Sequence, residues 1–219
     1  MGLSFVRRHC IALGVLAGLA GFLPANAAQP PARAPATLLV VGDSLSAEYG
    51  LKRGTGWVAL LEKRLAQEKI SATVINASIS GDTTSGGRAR LPSLLSQHKP
   101  KVVVIELGGN DALRGLPLPM TQANLQAMTQ AAQAAGAKVL LVGMQVPPNY
   151  GQDYTKRFSN TFAEVAKANK AALVPFLLAG VADGPNAGKL FQADRIHPNE
   201  AAHPTILNTM WPAVRALLR

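Results

Sequence analysis

The sequence predicts a doubly wound α/β domain, a parallel sheet between two layers of helices, and three observations carry that reading. Short apolar runs alternate with segments whose apolar residues recur at helical spacing. Two of the runs, "VVVIEL" and "VLLVG", are continuously apolar, the pattern of strands covered on both faces. The roughly 190 residues that follow an N-terminal export segment suit one domain able to bury about 70% of its unfolded surface.

Strands are expected at Thr37 to Val41, Ala72 to Asn76, Lys101 to Leu107, Lys138 to Val142 and, shorter, Ala172 to Pro175. Between them Trp57, Leu60, Leu61 and Leu65 recur at helical spacing, as do Leu91, Leu94 and Leu95. Leu125 and Met128 carry the pattern in an Ala/Gln-rich helix, and Phe158, Phe162 and Val165 mark another. A last helix near Ala201 to Leu218 contains Pro204 and Pro212 and is expected to be broken or kinked. Strand–helix alternation implies parallel crossover units. Five strands then give a three-layer α/β/α, flavodoxin-like sheet of order 2-1-3-4-5, in which ligands bind at the carboxyl ends of the strands where the order reverses. Those ends carry "GDSLS", "NASISGDTTSGG" and "GGNDALRG", and all three should meet in space.

The N-terminus reads as a signal peptide. Arg7 and Arg8 precede an apolar run from Cys10 to Leu23, and Ala25-Asn26-Ala27 is a small-x-small cleavage site. The run is shorter than the roughly 20 residues of a membrane span. Residues 1–27 are therefore expected to be removed, residues 28–36 to form a flexible lead-in and residues 37–219 to form the single domain, periplasmic or secreted. Cys10, the only cysteine, leaves with the signal, which excludes disulfides, thiolate metal sites and a cysteine nucleophile.

The 22 Lys+Arg less Arg7 and Arg8 leave 20 against 12 Asp+Glu, a formal charge of +8. A basic balance favours anionic partners. Nucleic acid is not expected, because the cations are scattered and aromatics are few.

Four segments carry chemistry. In "DRIHPNE" the Asp194 carboxylate, three residues before His197, can fold back and accept from the imidazole Nδ1–H, and Pro198 pushes His197 into an extended, stiff loop. The competing reading is a surface histidine near a helix start. Asp194, His197, Glu200 and His203 crowd together, yet His197 and His203 would lie roughly 240° apart on a helix, and H-E-x-x-H spacing is missing, so no metal is expected. In "ELGGNDALRG" Gly108 and Gly109 suit either a tight turn or close approach to a substrate, with the Asn110 amide as an oxyanion donor. Gly81 lies in a glycine-rich loop without the G-K-[ST] of a phosphate loop, and offers a bare N–H. Ser44 lies outside any G-x-S-x-G elbow, and taken alone it reads as a helix N-cap.

Together, "GDSLS", Gly81, "GGND" and "DRIHPN" resemble the four blocks of the SGNH, or GDSL, hydrolase family. Within that family the chain is similar to the exported acyl-CoA thioesterase I/lysophospholipase/arylesterase group, from about Thr37 to Pro212. The resemblance implies Ser44 as nucleophile, His197 as general base and acid, Asp194 as its orienting partner, and an oxyanion hole of Ser44 N–H, Gly81 N–H and the Asn110 side chain. Asp43 is then not the triad acid. One departure is Arg195, where relatives commonly have glycine, which leaves the conformation of the Asp-His turn open.

The implied reaction is two-step acyl transfer to water on carboxylic esters and thioesters, without cofactor. Gly109, Leu113 in "ALRGLPLPM" and Pro147 in "QVPPNY" flank the site as candidate substrate contacts. The expected partners are a small acyl ester or thioester and, transiently, a lipid surface, with the protein a monomer. An O-acetyl esterase acting on carbohydrate is the competing enzyme, and an exported flavodoxin-type binding module the competing non-enzyme.

Overall fold

The computed structural model describes residues 1–2 and 34–219. The signal expected at residues 1–27 and the lead-in as far as residue 33 lie outside the described residues. The first strand begins at Ala36, the last residue of the expected lead-in.

Five strands, β1 (Ala36–Gly42), β2 (Ala72–Asn76), β3 (Val102–Glu106), β4 (Lys138–Val142) and β5 (Ala172–Val174), form one parallel sheet in the order 2-1-3-4-5. The continuous apolar runs occupy its centre, where Leu38 to Val41 and Val102 to Ile105 are fully buried. The edges are less covered: β2 buries only Val74 and β5 only Val174. A central strand has helices on both faces and neighbours on both sides, so it needs apolar residues at successive positions.

Helices α1 (Trp57–Gln67), α2 (Thr84–His98), α3 (Gly109–Leu113), α4 (Leu118–Ala134), α5 (Gln152–Asn169) and α6 (His203–Leu218) cover the sheet. Helix α1 packs on α6, while α2 packs on α4 and α4 on α5, which gives the two outer layers. Apolar residues at helical spacing are the ones that turn inward, among them Trp57, Leu61 and Leu65 from α1 and Phe158, Phe162 and Val165 from α5.

The structure differs from expectation in two details, the first being that the last helix is not broken. Helix α6 runs from His203 through Pro212 to Leu218 after a 3₁₀ turn at Glu200–Ala202. Pro204 falls in the first turn, where its missing N–H removes no hydrogen bond. The buried stripe of Ile206, Leu207, Met210, Trp211 and Val214 holds the helix across Pro212 against a cost of about 3 kcal/mol. The second difference is at "GGND", where the chain makes the short helix α3 and not a simple turn.

Register decides what meets what. Gly42 pairs with Glu106, and Val40 with Asn76, so β1, β2 and β3 end side by side. The loops that follow them converge at the position where the strand order reverses.

Candidate active site

At the end of β1 the chain does not enter a helix. Residues 44–50 form a turn, and α1 starts only at Trp57, capped by Gly56. The Asp43 Oδ1 accepts from Leu45 N at 3.0 Å, and the Asp43 carbonyl accepts from Ser46 N and Ala47 N. This local folding leaves the Ser44 hydroxyl outside any helix cap. It points instead at His197, whose Nε2 lies 2.9 Å from Ser44 Oγ.

His197 is held from its other side. Its Nδ1 is 2.6 Å from Asp194 Oδ2, while Asp194 Oδ1 accepts from the amides of Ile196 at 2.9 Å and His197 at 3.0 Å. The side-chain bond from His197, then these backbone bonds, pull the Asp194 carboxyl down to about 2, so it stays ionised. With the proton on Nδ1 facing that carboxylate, Nε2 is left to accept from Ser44. The turn is pinned at its base by the antiparallel bridge of Phe191 with Pro198 and by Gln192 N donating to His197 O at 2.8 Å. The Tyr49 ring lies over the imidazole, centroids 4.4 Å apart.

The expected donors lie on the neighbouring loops. Gly81 has φ +79°, a left-handed conformation in which glycine is unstrained, and its carbonyl accepts from Arg114 Nη2 at 2.7 Å. Among the described residues no hydrogen bond uses the amides of Ser44 or Gly81 as donors. Asn110 sits in the first turn of α3, which starts after Gly108 at φ +119°. A Cβ on Gly108 would come within 3.1 Å of Phe162, so the bend carrying Asn110 needs glycine for both conformation and space. Asn110 Nδ2 donates to Asp43 Oδ2 at 3.1 Å, which fixes the amide orientation and spends one of its two protons. Arg90 ties two of the loops together: it bonds the Ala77 carbonyl, Gly42 O at 3.4 Å and Asp82 Oδ2 at 2.9 Å.

The three candidate substrate contacts fare differently. Gly109 opens α3 beside Asp43, and a Cβ there would lie 3.6 Å from Asp43 Oδ2. Leu113 ends α3 with half its surface exposed, next to the Arg114 that reaches the Gly81 loop. Pro147 is exposed before the 3₁₀ turn Pro148–Tyr150, and no hydrogen bond among the described residues joins it to the Ser44 site. The other acid and the other histidine of the last block go elsewhere. Glu200 Oε1 accepts from Lys52 N at 3.0 Å, and buried His203 accepts at Nδ1 from Trp57 N at 3.0 Å.

Sequence reasoning missed a buried acid pair. Glu106 Oε2 accepts from Ser46 Oγ at 2.7 Å and from Asp43 N at 3.3 Å, and Trp57 Nε1 donates to the same Ser46 hydroxyl. Burial, and then the nearby Asp43 charge, push the Glu106 carboxyl well above the usual range. Burial likewise raises Asp43 to about 6, against the lowering effect of its bonds from Leu45 and Asn110. The available signal was Glu106 itself, a lone acid closing the "VVVI" run of a central strand, where an unpaired charge is costly.

Comparison with known proteins identifies the family and the fold. The model of the GDSL-like Lipase/Acylhydrolase family matches residues 40–204. The chain is 56% identical over 182 residues to "Esterase TesA" of Pseudomonas aeruginosa, covering 83% of this chain and 89% of that one. It is 43% identical over 187 residues to "Thioesterase 1/protease 1/lysophospholipase L1" of Escherichia coli, covering 85% and 87%. Its fold superposes with a TM-score of 0.78 on the esterase EstA from Pseudoalteromonas sp., in a structure inhibited by monoethylphosphonate, at 41% identity over 83% of this chain and 98% of that one.

Proposed function

The chain belongs to the GDSL-like lipase/acylhydrolase family, and from that premise we propose that it hydrolyses carboxylic esters and thioesters with Ser44 as nucleophile. The observation that carries the assignment is the continuous relay from Ser44 Oγ through both nitrogens of His197 to Asp194, with steps of 2.9 and 2.6 Å.

In this mechanism His197 Nε2 takes the Ser44 proton as Oγ attacks the acyl carbonyl. The oxyanion of the tetrahedral intermediate accepts from Ser44 N–H, Gly81 N–H and the Asn110 Nδ2 proton that Asp43 does not use. Asp194 steadies the imidazolium without taking its proton. His197 then protonates the leaving oxygen or sulfur, and in the second half it activates the water that releases the acid. Asp43 is a positioning residue here, because its contact is with Asn110 and not with substrate.

Acyl substrates with an apolar chain fit the surface around this site. Among the described residues the exposed large apolar side chains, Met1 apart, are Tyr49, Ile79, Leu113, Met120, Tyr150 and Ile196, all on or beside the loops that leave the carboxyl ends of the strands. Aryl esters, acyl thioesters and lysophospholipids are the proposed substrates, met in part at a lipid surface by a monomer. Export follows from the Arg7–Ala27 signal pattern, and no helix among the described residues is long and apolar enough to cross a membrane. Ser44→Ala tests the mechanism: hydrolysis of p-nitrophenyl acyl esters should vanish while circular dichroism stays unchanged. Retained hydrolysis would overturn it.

A further inference from the structure

Five residues other than glycine have left-handed backbone among the described residues: Glu48, Lys69, Lys99, Lys170 and Arg195. Lys69, Lys99 and Lys170 stand at or just past the ends of α1, α2 and α5, where this conformation terminates a helix. Glu48 uses its side chain, accepting from the amides of Gly54 and Gly56. Arg195, at φ +58°, does neither. Its amide donates to Gln192 O, but no hydrogen bond or ion pair among the described residues uses its guanidinium. Glycine would take this conformation without strain, whereas a side chain there is strained. A persistent cost of that kind at an active-site turn calls for something the side chain does.

Its position says what. Arg195 lies between Asp194 and His197 in sequence and lines a cavity of about 590 Å³ with Ala187, Gly188, Phe191, Gln192 and Ala193. Gln192 joins that cavity to the reacting groups, since its Nε2 donates to Tyr49 O at 2.9 Å and to Pro198 O at 3.0 Å, and the Tyr49 ring lies over His197. In acyl transfer the atom that accepts the His197 proton belongs to the leaving group. The leaving group therefore emerges beside the 194–197 turn, while the acyl chain occupies the opposite side of the carbonyl. An exposed guanidinium with five N–H donors, on a chain whose formal charge is +8 without Arg7 and Arg8, suits an oxyanion of phosphate geometry.

We infer that Arg195 and the cavity beside it form a leaving-group subsite for phosphate-bearing substrates. The subsite rests on the ester/thioesterase reading above, and it selects among substrates without taking part in bond cleavage. The phosphate has two sources, a lysophospholipid headgroup or the nucleotide carrier of an acyl thioester.

Paired substrates of equal acyl length separate these sources. Lysophosphatidic acid against monoacylglycerol differs by the lipid phosphate, and acyl-CoA against the acyl N-acetylcysteamine thioester differs by the carrier phosphates. In Arg195→Gly, kcat/KM for the phosphate-bearing member of at least one pair should fall about tenfold more than for its neutral partner, through KM, as expected for one charge-assisted contact. Arg195→Lys should recover part of that preference. A fall confined to the first pair assigns the subsite to lipid headgroups, and one confined to the second to the thioester carrier. Because glycine fits the turn, Arg195→Gly should melt at or above the temperature of the unsubstituted protein. Equal losses on charged and neutral members would mean that Arg195 only shapes the turn, and unchanged preference in both pairs would mean that it binds nothing, so either result overturns the subsite. Failure of the unsubstituted protein to hydrolyse any of the four while it still cleaves p-nitrophenyl esters would overturn the subsite alone, and failure on those esters as well would overturn the hydrolase reading with it.

Discussion

Two aspartates flank the same serine and have opposite electrostatics. Asp43 is next to Ser44 in the chain, only 2% exposed, and burial holds its carboxyl up at about 6. Asp194 is 150 positions away on an exposed turn, and its bonds from His197 and Ile196 hold it down at about 2. A partner for an imidazolium must carry charge throughout the cycle, and the surface aspartate does so because donors replace the water it loses. The buried one already spends its oxygens on Leu45 and Asn110 and sits beside Glu106, a second buried acid. Chain adjacency points to Asp43 and hydrogen bonding to Asp194 as the partner of His197, and the proposed mechanism follows the hydrogen bonding.

The two aspartates should differ most in what their loss does to turnover. Asp194→Asn should lower kcat by up to about 10⁴, the scale on which a mis-set histidine tautomer acts in serine hydrolases. Asp43→Asn should do far less. If the two effects were reversed, the roles assigned to the two regions would be exchanged.

Next in size is Asn110→Ala, expected to cost about 2.7–4 kcal/mol of transition-state stabilisation, read in kcat with KM little changed. Asp43→Asn then sharpens the positioning role. An amide at residue 43 cannot accept from both Leu45 N and Asn110 Nδ2, so one bond is lost and kcat should fall by about tenfold. If Asp43 acts through Asn110, the double variant should be no slower than Asn110→Ala alone. Additive losses in that cycle would place Asp43 in a separate role.

The smallest effect concerns stability. A carboxyl whose folded pKa is raised binds its proton more tightly when folded, so its contribution is full below 3.8 and is lost as the pH climbs through about 6. Asp194 has the opposite sign, contributing above 3.8 and losing it as the pH falls through about 2. Thermal melts should therefore show Asp43→Asn gaining on the unsubstituted protein between pH 4 and 6, by a few degrees at about 2–4 °C per kcal/mol for a domain of this size. Parallel curves would contradict the raised value.

Most of the sheet was legible because its strands obey simple rules. Continuous apolar runs became buried central strands, and the predicted order placed the three loops together before any contact was known. The Asp194–His197 turn was legible for a similar reason, since a three-residue spacing before proline is a local geometric statement. What could not be read was set by tertiary packing. The buried face of α6 overrides Pro212, and "GGND" becomes a helix because Gly108 can bend under Phe162. Glu106 became a partner of Ser46 and Asp43 only through the pairing of β1 with β3, which no local pattern encodes. Arg195 was visible as a departure from glycine, yet its left-handed backbone and its cavity were not.

The central claim is that the surface turn, and not the buried acid beside the serine, activates Ser44. Reaction with a fluorophosphonate probe, followed by peptide mass spectrometry, tests it directly in the unsubstituted protein, Asp43→Asn and Asp194→Asn. A single adduct on Ser44 is predicted, its formation slowed no more than about tenfold in Asp43→Asn and by orders of magnitude in Asp194→Asn. An adduct on another residue, or labelling that survives Asp194→Asn but fails in Asp43→Asn, would contradict it.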